Sequence, residues 1–179
     1  MKQEIGQGAS QGRFAIEPMR RRHLPGVLRI ERHAHPRPWS LGVFTGELSQ
    51  GGRYYVVARS DGRVCGYGGL MFVGDEAHVT NIAVAPWARR RRVGTRLMAH
   101  LIRESRRRNC GSMTLEVRMG NQAAQDMYRK FGFESAGVRP NYYPESGEDG
   151  LIMWLYELGS GAVEARLRQV EGGSGAEGG

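Results

Sequence analysis

The stretch "VAPWARRRRVGTRLM", residues 84–98, decides the fold because four consecutive arginines stand in it between two apolar patterns. The segment before the arginines, "EAHVTNIAVA", is β-rich, and the segment after them repeats apolar residues at helical spacing from Gly94 to Ser105. This order predicts a strand, a short loop and an amphipathic helix of about four turns. Such a loop collects the unpaired backbone N–H groups of the helix N-terminus, which bind phosphate.

The arginines themselves, at positions 89–92, leave three interpretations open. A run of arginines is most often a solvated basic turn, and it can also form a surface for nucleic acid. Gly94 favours the third interpretation, a frame for the phosphates of a small cofactor, because a glycine lets the backbone approach a ligand. Neither an aromatic-rich stacking platform nor a named nucleic-acid motif accompanies the run, so we expect no specific nucleic-acid binding.

Strands and helices continue on both sides of this stretch. The predicted order is β, α, α, β, β, β before the arginines and α, β, α, β, β after them, with Ser40 capping the second helix. Helical crossovers join parallel strands and short turns join antiparallel ones, so the predicted fold class is α/β, of the mixed α+β type. The segments are, in chain order, "FAIEPM", a helix through Leu24 and Ala34, a helix from Ser40, "RYYVVARS", "RVCGYGGLMFV", "EAHVTNIAVA", a helix from Gly94, "SMTLEVR", "NQAAQDMYRKFG", "FESAGVR" and "GLIMWLYEL".

Length and composition favour one domain in a reducing compartment. The 179 residues, 40 % of them hydrophobic, suffice for one core, which we place at 13–158 between flexible tails at 1–12 and 159–179. The sequence has no long apolar run, a polar start and only two cysteines, which predicts a cytoplasmic chain without membrane contact. The net charge of +8 favours an anionic partner. The five histidines lack a ligand pattern, so no metal is expected.

Three blocks in the right order carry a resemblance to a known family. They are "NIAVAPWARRRRVGTRLM", "LEVRMGNQAAQDMYRKFGF" and "RPNYYPESGEDGLIMWL". Together they resemble the GNAT superfamily of acetyl-CoA-dependent N-acetyltransferases, most closely its RimI-type branch, which acetylates ribosomal-protein alanine N-termini. The resemblance runs from about Phe14 to Leu158. It implies a GNAT fold, in which a central, mostly antiparallel seven-stranded sheet has a parallel splayed pair in the middle and helices on both faces.

The family's phosphate loop has the form Gln/Arg-x-x-Gly-x-Gly/Ala, which begins at Arg89 and ends at Gly94 in this chain. Arg92 stands where the family has its first glycine. The loop keeps its main-chain donors through this change if Arg92 adopts backbone angles that a non-glycine residue tolerates. The resemblance implies acetyl-CoA as co-substrate, contacted by the main chain of Ile82, Ala83 and Val84, by Arg89, Arg90, Arg91, Arg92, Val93, Gly94 and Thr95 in the loop, and by Asn121.

Two residues match the family's catalytic positions. An α-amine with a pKa of about 8 must lose a proton before it attacks a thioester, and the resemblance implies that Glu116 accepts it. Tyr128 matches the tyrosine that protonates the departing coenzyme A thiolate. From the residues alone, Glu116 would be a surface strand carboxylate paired with an arginine, and Tyr128 a half-buried helix tyrosine.

The acceptor of the acetyl group is less constrained. The resemblance implies an N-terminal α-amine, with alanine first, on a small-subunit ribosomal protein, bound by Trp39, Tyr142 and Tyr143. The two tyrosines would equally be packed aromatics in a turn that ends at Pro144. Two other functions stay open, namely acetylation of lysine side chains or small amines and a non-catalytic module that binds acetyl-CoA or RNA. Ribosome contact is compatible with the charge, and a monomer or weak dimer is expected.

Overall fold

The computed structural model describes residues 14–172. The tail predicted at 1–12 lies outside the described residues, as does the end of the second tail from residue 173. The described part of the chain forms seven strands and four α-helices in the predicted order, with a fifth α-helix at the end. They are β1 (Ala15–Pro18), α1 (Leu24–Ala34), α2 (Leu41–Ser49), β2 (Arg53–Ser60), β3 (Arg63–Val73), β4 (Glu76–Val84), α3 (Val93–Arg107), β5 (Ser112–Arg118), α4 (Gln122–Phe131), β6 (Glu134–Tyr143), β7 (Glu148–Leu155) and α5 (Gly161–Gly172).

The seven strands form one mixed sheet in the order β1-β2-β3-β4-β5-β7-β6. Strands β4 and β5 are parallel because α3 carries the chain from the end of β4 back to the side of the sheet where β4 begins. All other neighbouring strands are antiparallel. The predicted mixed α/β class and the central parallel pair are therefore confirmed.

The parallel pair separates soon after it begins. Register pairs join β4 to β5 only at residues 76–78 and 112–114. A bulge follows in β4, because Leu70 of β3 lies opposite Val79 and Gly69 lies opposite Asn81, which leaves Thr80 as the extra residue. A bulge bends its strand. The carboxyl-terminal halves of β4 and β5 are thus open towards each other, as expected for a splayed pair.

Helices cover both faces of the sheet, and β3 is the strand that contacts them on each side. On one face, Tyr67 donates a hydrogen bond to Glu31 of α1 and packs edge-on against Phe44 of α2. On the other face, a Cβ atom on Gly66 would lie 2.9 Å from Val93 Cγ1 of α3. Glycine at this position therefore lets α3 approach the sheet closely.

The prediction of a flexible tail at 159–179 is wrong over Gly161–Gly172, which forms α5. This helix packs against α3 and α4, with Val163 and Leu167 buried. These residues and Val170 recur at i, i+4 and i+7, the spacing of one helix face. The stripe is only three residues long and lies between glycine-rich segments, which is why composition pointed to a tail.

Candidate functional site

A cleft of about 540 Å³ opens where β4 and β5 separate. Its walls come from both strands, the segment after α1, the start and middle of α4, and the β6–β7 hairpin. Ten of the predicted site residues line this one cleft, although they lie far apart in sequence. They are Trp39, Ile82, Ala83, Val84, Arg89, Glu116, Asn121, Tyr128, Tyr142 and Tyr143.

The open edge of β4 forms one wall. Residues Ile82, Ala83 and Val84 are paired with β3 on one side only. No register pair joins them to β5 in the described part of the chain. Their backbone on the β5 side is therefore available to a ligand that hydrogen-bonds like an added strand.

The other predicted cofactor residues, at 90–95, lie around the N-terminus of α3 and do not line the cleft. A Cβ atom on Gly94 would meet Val84 at 3.5 Å and Met127 at 3.6 Å, which are ordinary contacts. Packing alone therefore does not require a glycine at this position. The bare backbone at the first turn of α3 suits a phosphate, because the N–H groups of that turn have no partner within the helix.

Two loop arginines have left-handed backbones. Arg90 has φ 61°. Arg92, the residue that precedes α3, has φ 59° and ψ 16°. This conformation disfavours side-chain-bearing residues by roughly 1–2 kcal/mol each. Arg92 thus takes the left-handed conformation that glycine adopts without strain, so the loop keeps its shape at an energetic cost.

Glu116 lies on β5 opposite Ile152 of β7 and lines the cleft. Its side chain is 25 % exposed, and its Oε1 lies 3.4 Å from Nε of Arg139, which is 56 % exposed. The arginine pairing expected of a surface carboxylate is therefore present, together with access to the cleft. An ion pair this exposed contributes only about 0.2–1 kcal/mol, so the carboxylate is not locked by its partner.

Tyr128 faces the same cleft from α4. The residue is 5 % exposed, and its ring packs against Phe133 with the centroids 5.8 Å apart. Burial raises the pKa of Tyr128 above its ordinary value, and Tyr143 raises it further. The phenol is therefore protonated at neutral pH, which makes it a proton donor.

The tyrosine pair of the hairpin lies within β6, not in a turn, because the strand continues to Tyr143 and turns only afterwards. The rings of Tyr142 and Tyr143 meet edge-on at 5.1 Å. The Arg118 guanidinium lies 3.9 Å from the centre of the Tyr143 ring and pairs with Glu145 and Glu148. Burial raises the pKa of Tyr143 to about 12. The hairpin is thus fixed to β5 with both hydroxyls protonated at neutral pH.

Asn121 caps α4, as its residue type predicts. Its Oδ1 accepts a hydrogen bond from Ala124 N at 3.2 Å, and the residue also lines the cleft.

Sequence reasoning missed a buried carboxylate in the wall beside Trp39. Glu31 is 1 % exposed, lines the cleft, and accepts hydrogen bonds from Trp39 N at 2.9 Å and from the Tyr67 hydroxyl. His35 Nε2 lies 3.7 Å from the same carboxylate. The signal was its place seven residues after Leu24, on the buried face of α1. Glu31 thus holds the segment that carries Trp39.

Two further kinds of site are absent from the part of the chain that the structure describes. Within 14–172, no group of three or more His, Cys, Asp or Glu side chains is placed to hold a metal ion. Over the same part of the chain, no helix has the length and apolar character needed to cross a membrane.

A splayed parallel pair with an open strand edge, next to a helix N-terminus and a carboxylate, suits a transferase whose cofactor has phosphates and an amide-bearing arm. The sequence profile of the acetyltransferase (GNAT) family matches residues 20–133. The chain belongs to this family. It is therefore an acetyltransferase that uses acetyl-CoA, as the three sequence blocks indicated.

Named relatives agree over most of the chain. The [ribosomal protein bS18]-alanine N-acetyltransferase of Salmonella typhimurium is 42 % identical over 135 residues, which are 74 % of this chain and 90 % of the relative. The N-alpha-acetyltransferase RimI of Mycobacterium tuberculosis is 38 % identical over 120 residues, 65 % of this chain and 74 % of the relative. The crystal structure of the ribosomal-protein-S18-alanine N-acetyltransferase from Escherichia coli superposes with a TM-score of 0.75 at 35 % identity, covering 81 % of this chain and 94 % of that one.

Proposed function

We propose that this acetyltransferase modifies the N-terminal α-amine of a protein, with alanine first, and that its physiological acceptor is the small-subunit ribosomal protein bS18. One observation carries the proposal: Glu116, Tyr128 and the Tyr142–Tyr143 pair line one cleft beside the open edge of β4. The names of the relatives from Salmonella typhimurium and Escherichia coli support the choice of acceptor.

The co-substrate supplies an acetyl group activated as a thioester. We propose that the backbone of Ile82, Ala83 and Val84 binds the amide-bearing arm of acetyl-CoA, and that the first turn of α3 binds its phosphates. The side chains of Arg89, Arg90 and Arg91 would add charge-assisted contacts to the phosphates. Arg92, Val93, Gly94, Thr95 and Asn121 complete the proposed set.

Glu116 acts in this proposal on the acceptor amine. At pH 7 an α-amine with a pKa of about 8 is mostly protonated and cannot attack. A Glu116 oxygen accepts that proton, directly or through a water, so that the free amine forms inside the cleft. The partly exposed position of this carboxylate leaves room for both the amine and a water.

Tyr128 acts on the leaving group. Its hydroxyl donates a proton to the sulfur as the bond to the acetyl carbon breaks. The raised pKa of the phenol keeps this proton on Tyr128 until negative charge develops on the sulfur as the bond to the acetyl carbon breaks.

Direct attack in a ternary complex is the proposed route, and the two cysteines support it. Cys65 is 1 % exposed and Cys110 is 5 % exposed. Burial raises the pKa of both thiols, which disfavours the thiolate that a covalent acetyl-cysteine route needs. Trp39, Tyr142 and Tyr143 form the proposed acceptor wall, where aromatic bulk leaves space for a small first side chain.

An RNA-binding function would need unpaired arginines on the surface, and several arginines after the cofactor loop are paired with carboxylates. Arg106 pairs with Glu164, while Arg107 and Arg108 pair with Glu104. The arginines at the end of α3 are therefore partly neutralised. We propose a cytoplasmic monomer or weak dimer that meets its acceptor through the cleft.

Two peptides test the acceptor class by intact-mass spectrometry with acetyl-CoA. One has a free N-terminal alanine and no lysine, and the other has a blocked N-terminus and one lysine. The proposal expects acetylation of the first peptide alone. Modification of the second peptide alone would assign the enzyme to lysine side chains, and no modification of either would favour a small amine or a non-catalytic module.

A further inference from the structure

Helix α5 is fastened to α3 along its length. Val163 and Leu167 of α5 are buried, 3 % and 0 % exposed. Arg103 of α3 lies 2.6 Å from Glu171 and 3.5 Å from Glu164, and Arg106 also pairs with Glu164. Both carboxylates of these pairs come from α5 and both guanidinium groups from α3. The helix therefore has a fixed position relative to α3.

The last turn of α5 reaches the loop that precedes α3. The Arg92 guanidinium donates a hydrogen bond to the backbone carbonyl of Val170. The last carbonyls of a helix lack partners within it and carry the negative end of the helix dipole, so a cation is stabilised there. The same arginine has the left-handed backbone with φ 59°. The side chain of Arg92 is thus tied to α5 while its backbone is strained.

We propose that α5 is a brace that holds Arg92 in its left-handed conformation and thereby raises the affinity of the loop for acetyl-CoA. Glu164, Glu171 and the Val170 carbonyl are positioning groups in this role. A non-glycine residue keeps such a backbone only where its surroundings over-determine it, and the tie to Val170 supplies one such constraint. The inference rests on the proposed assignment of this loop to the coenzyme phosphates.

Isothermal titration of full-length protein with acetyl-CoA tests the brace. Replacing both carboxylates, Glu164→Gln with Glu171→Gln, loosens α5 but leaves its buried residues in place. The Kd for acetyl-CoA should rise about five-fold, because the loop must then be ordered at the moment of binding. Electrostatics alone predicts the opposite sign, since the double variant removes two negative charges near an anion site.

A second background separates bracing from general destabilisation. In Arg92→Gly protein the loop reaches the left-handed conformation without help. The same Glu164→Gln/Glu171→Gln pair should then change the Kd by less than about two-fold, so the two changes are not additive. Thermal unfolding is measured alongside for the parent, the double glutamine variant, Arg92→Gly and their combination. If α5 had a purely structural role, the glutamine pair would lower Tm equally in both backgrounds, and its effect on the Kd would not depend on residue 92.

Two single variants serve as controls. Glu104→Gln removes a carboxylate of α3 that pairs with Arg107 and Arg108 instead of α5, and should leave the Kd unchanged. Arg89→Ala reports on the loop assignment, and it should raise the Kd. An unchanged Kd in the double glutamine variant, or an equal rise in both backgrounds, would overturn the brace. Because no acceptor is present, a wrong acceptor assignment does not affect this titration.

Discussion

At the scale of single residues, the site depends on carboxylates in two different surroundings. Glu116 is a quarter exposed with one arginine at the rim, whereas Glu31 is buried and accepts two hydrogen bonds. A buried carboxylate that accepts a hydrogen bond on each oxygen suits a structural role, and a partly exposed one can exchange protons with a ligand. In the proposed mechanism, Glu31 therefore positions the wall of the cleft and Glu116 acts on the acceptor amine.

The proposed role of Glu116 predicts a specific loss of activity. Glu116→Gln keeps the size of the side chain but cannot accept the amine proton, so kcat at pH 7 should fall by about 10²-fold or more. Initial rates with the alanine peptide measure it. Glu134→Gln, an exposed carboxylate of β6, is the matched control and should keep kcat. A kcat for Glu116→Gln within a few-fold of the parent would move the proton transfer to another group.

Individual residues could be predicted where the sequence around them carries a recognisable motif. The ten residues in the cleft were found because their motifs resemble those of a family, and the fold brings them together. Glu31 was missed because a carboxylate on an apolar stripe looks like an interruption of that stripe. The left-handed backbone of Arg92 was not predictable, since the residue type disfavours it and only the surrounding structure accounts for it.

At the scale of elements, long periodic segments were predictable and short or exposed ones were not. Helix α3 has a wide apolar stripe and was found. Strand β6 was predicted only to Arg139, because nine of its ten residues are exposed and no inside–outside alternation marks its end. Helix α5 was missed for the same reason of weak pattern. Both elements nevertheless border the regions that we propose to be functional.

The close contact between β3 and α3 predicts an effect on stability. Gly66→Ala places a Cβ atom 2.9 Å from Val93 Cγ1 and 3.1 Å from the Ala83 carbonyl oxygen, so neighbouring groups must shift. The free energy of unfolding should decrease by about 1–3 kcal/mol. Urea denaturation followed by circular dichroism measures it.

Gly46→Ala is the matched control for this change. Gly46 lies within α2, and an added Cβ atom there would have no neighbour within 4 Å. Alanine should therefore stabilise the protein by about 0.5–1 kcal/mol through helix propensity. Equal effects of the two alanines would contradict the argument from packing.

At the scale of the whole molecule, the parallel direction of β4 and β5 follows from chain order, whereas their separation and the place of β7 between β5 and β6 do not. A helical crossover requires β4 and β5 to be parallel, which the sequence pattern indicates. Their separation after three register pairs accompanies a bulge at Thr80, and no residue type in that segment demands one. The splayed pair was predicted from the resemblance to a family, because no local sequence pattern indicates it.

The buried His23 makes the stability of the molecule depend on pH. Its Nδ1 accepts a hydrogen bond from Arg20 N at 3.0 Å, which requires the neutral ring. Burial lowers the pKa of His23 in the fold, against the opposing effect of Glu17. The unfolded chain, with a pKa of about 6.5, therefore binds more protons than the folded one. Stability is fully present above about pH 6.5 and decreases as the pH falls below it.

Thermal unfolding between about pH 7.5 and 5.5 measures this dependence. His23→Asn keeps an acceptor for Arg20 N without a titrating group, and the decrease in Tm towards low pH should be smaller in this variant. His33→Asn alters an exposed histidine and should retain the dependence of the parent. Identical pH profiles for His23→Asn and the parent would assign the decrease to other groups.

The open edge of β4 also has a consequence for how the gene can drift. In the proposed binding mode the ligand pairs with main-chain atoms, so the partly buried Ile82 and Val84 can exchange for other strand formers while binding persists. Ala83 is buried in the core and is restricted by packing. Proline is the exception, because it removes a donor and fixes φ. Sequence variation at these positions would therefore understate their part in the proposed binding, because the ligand would contact the backbone and not the side chains.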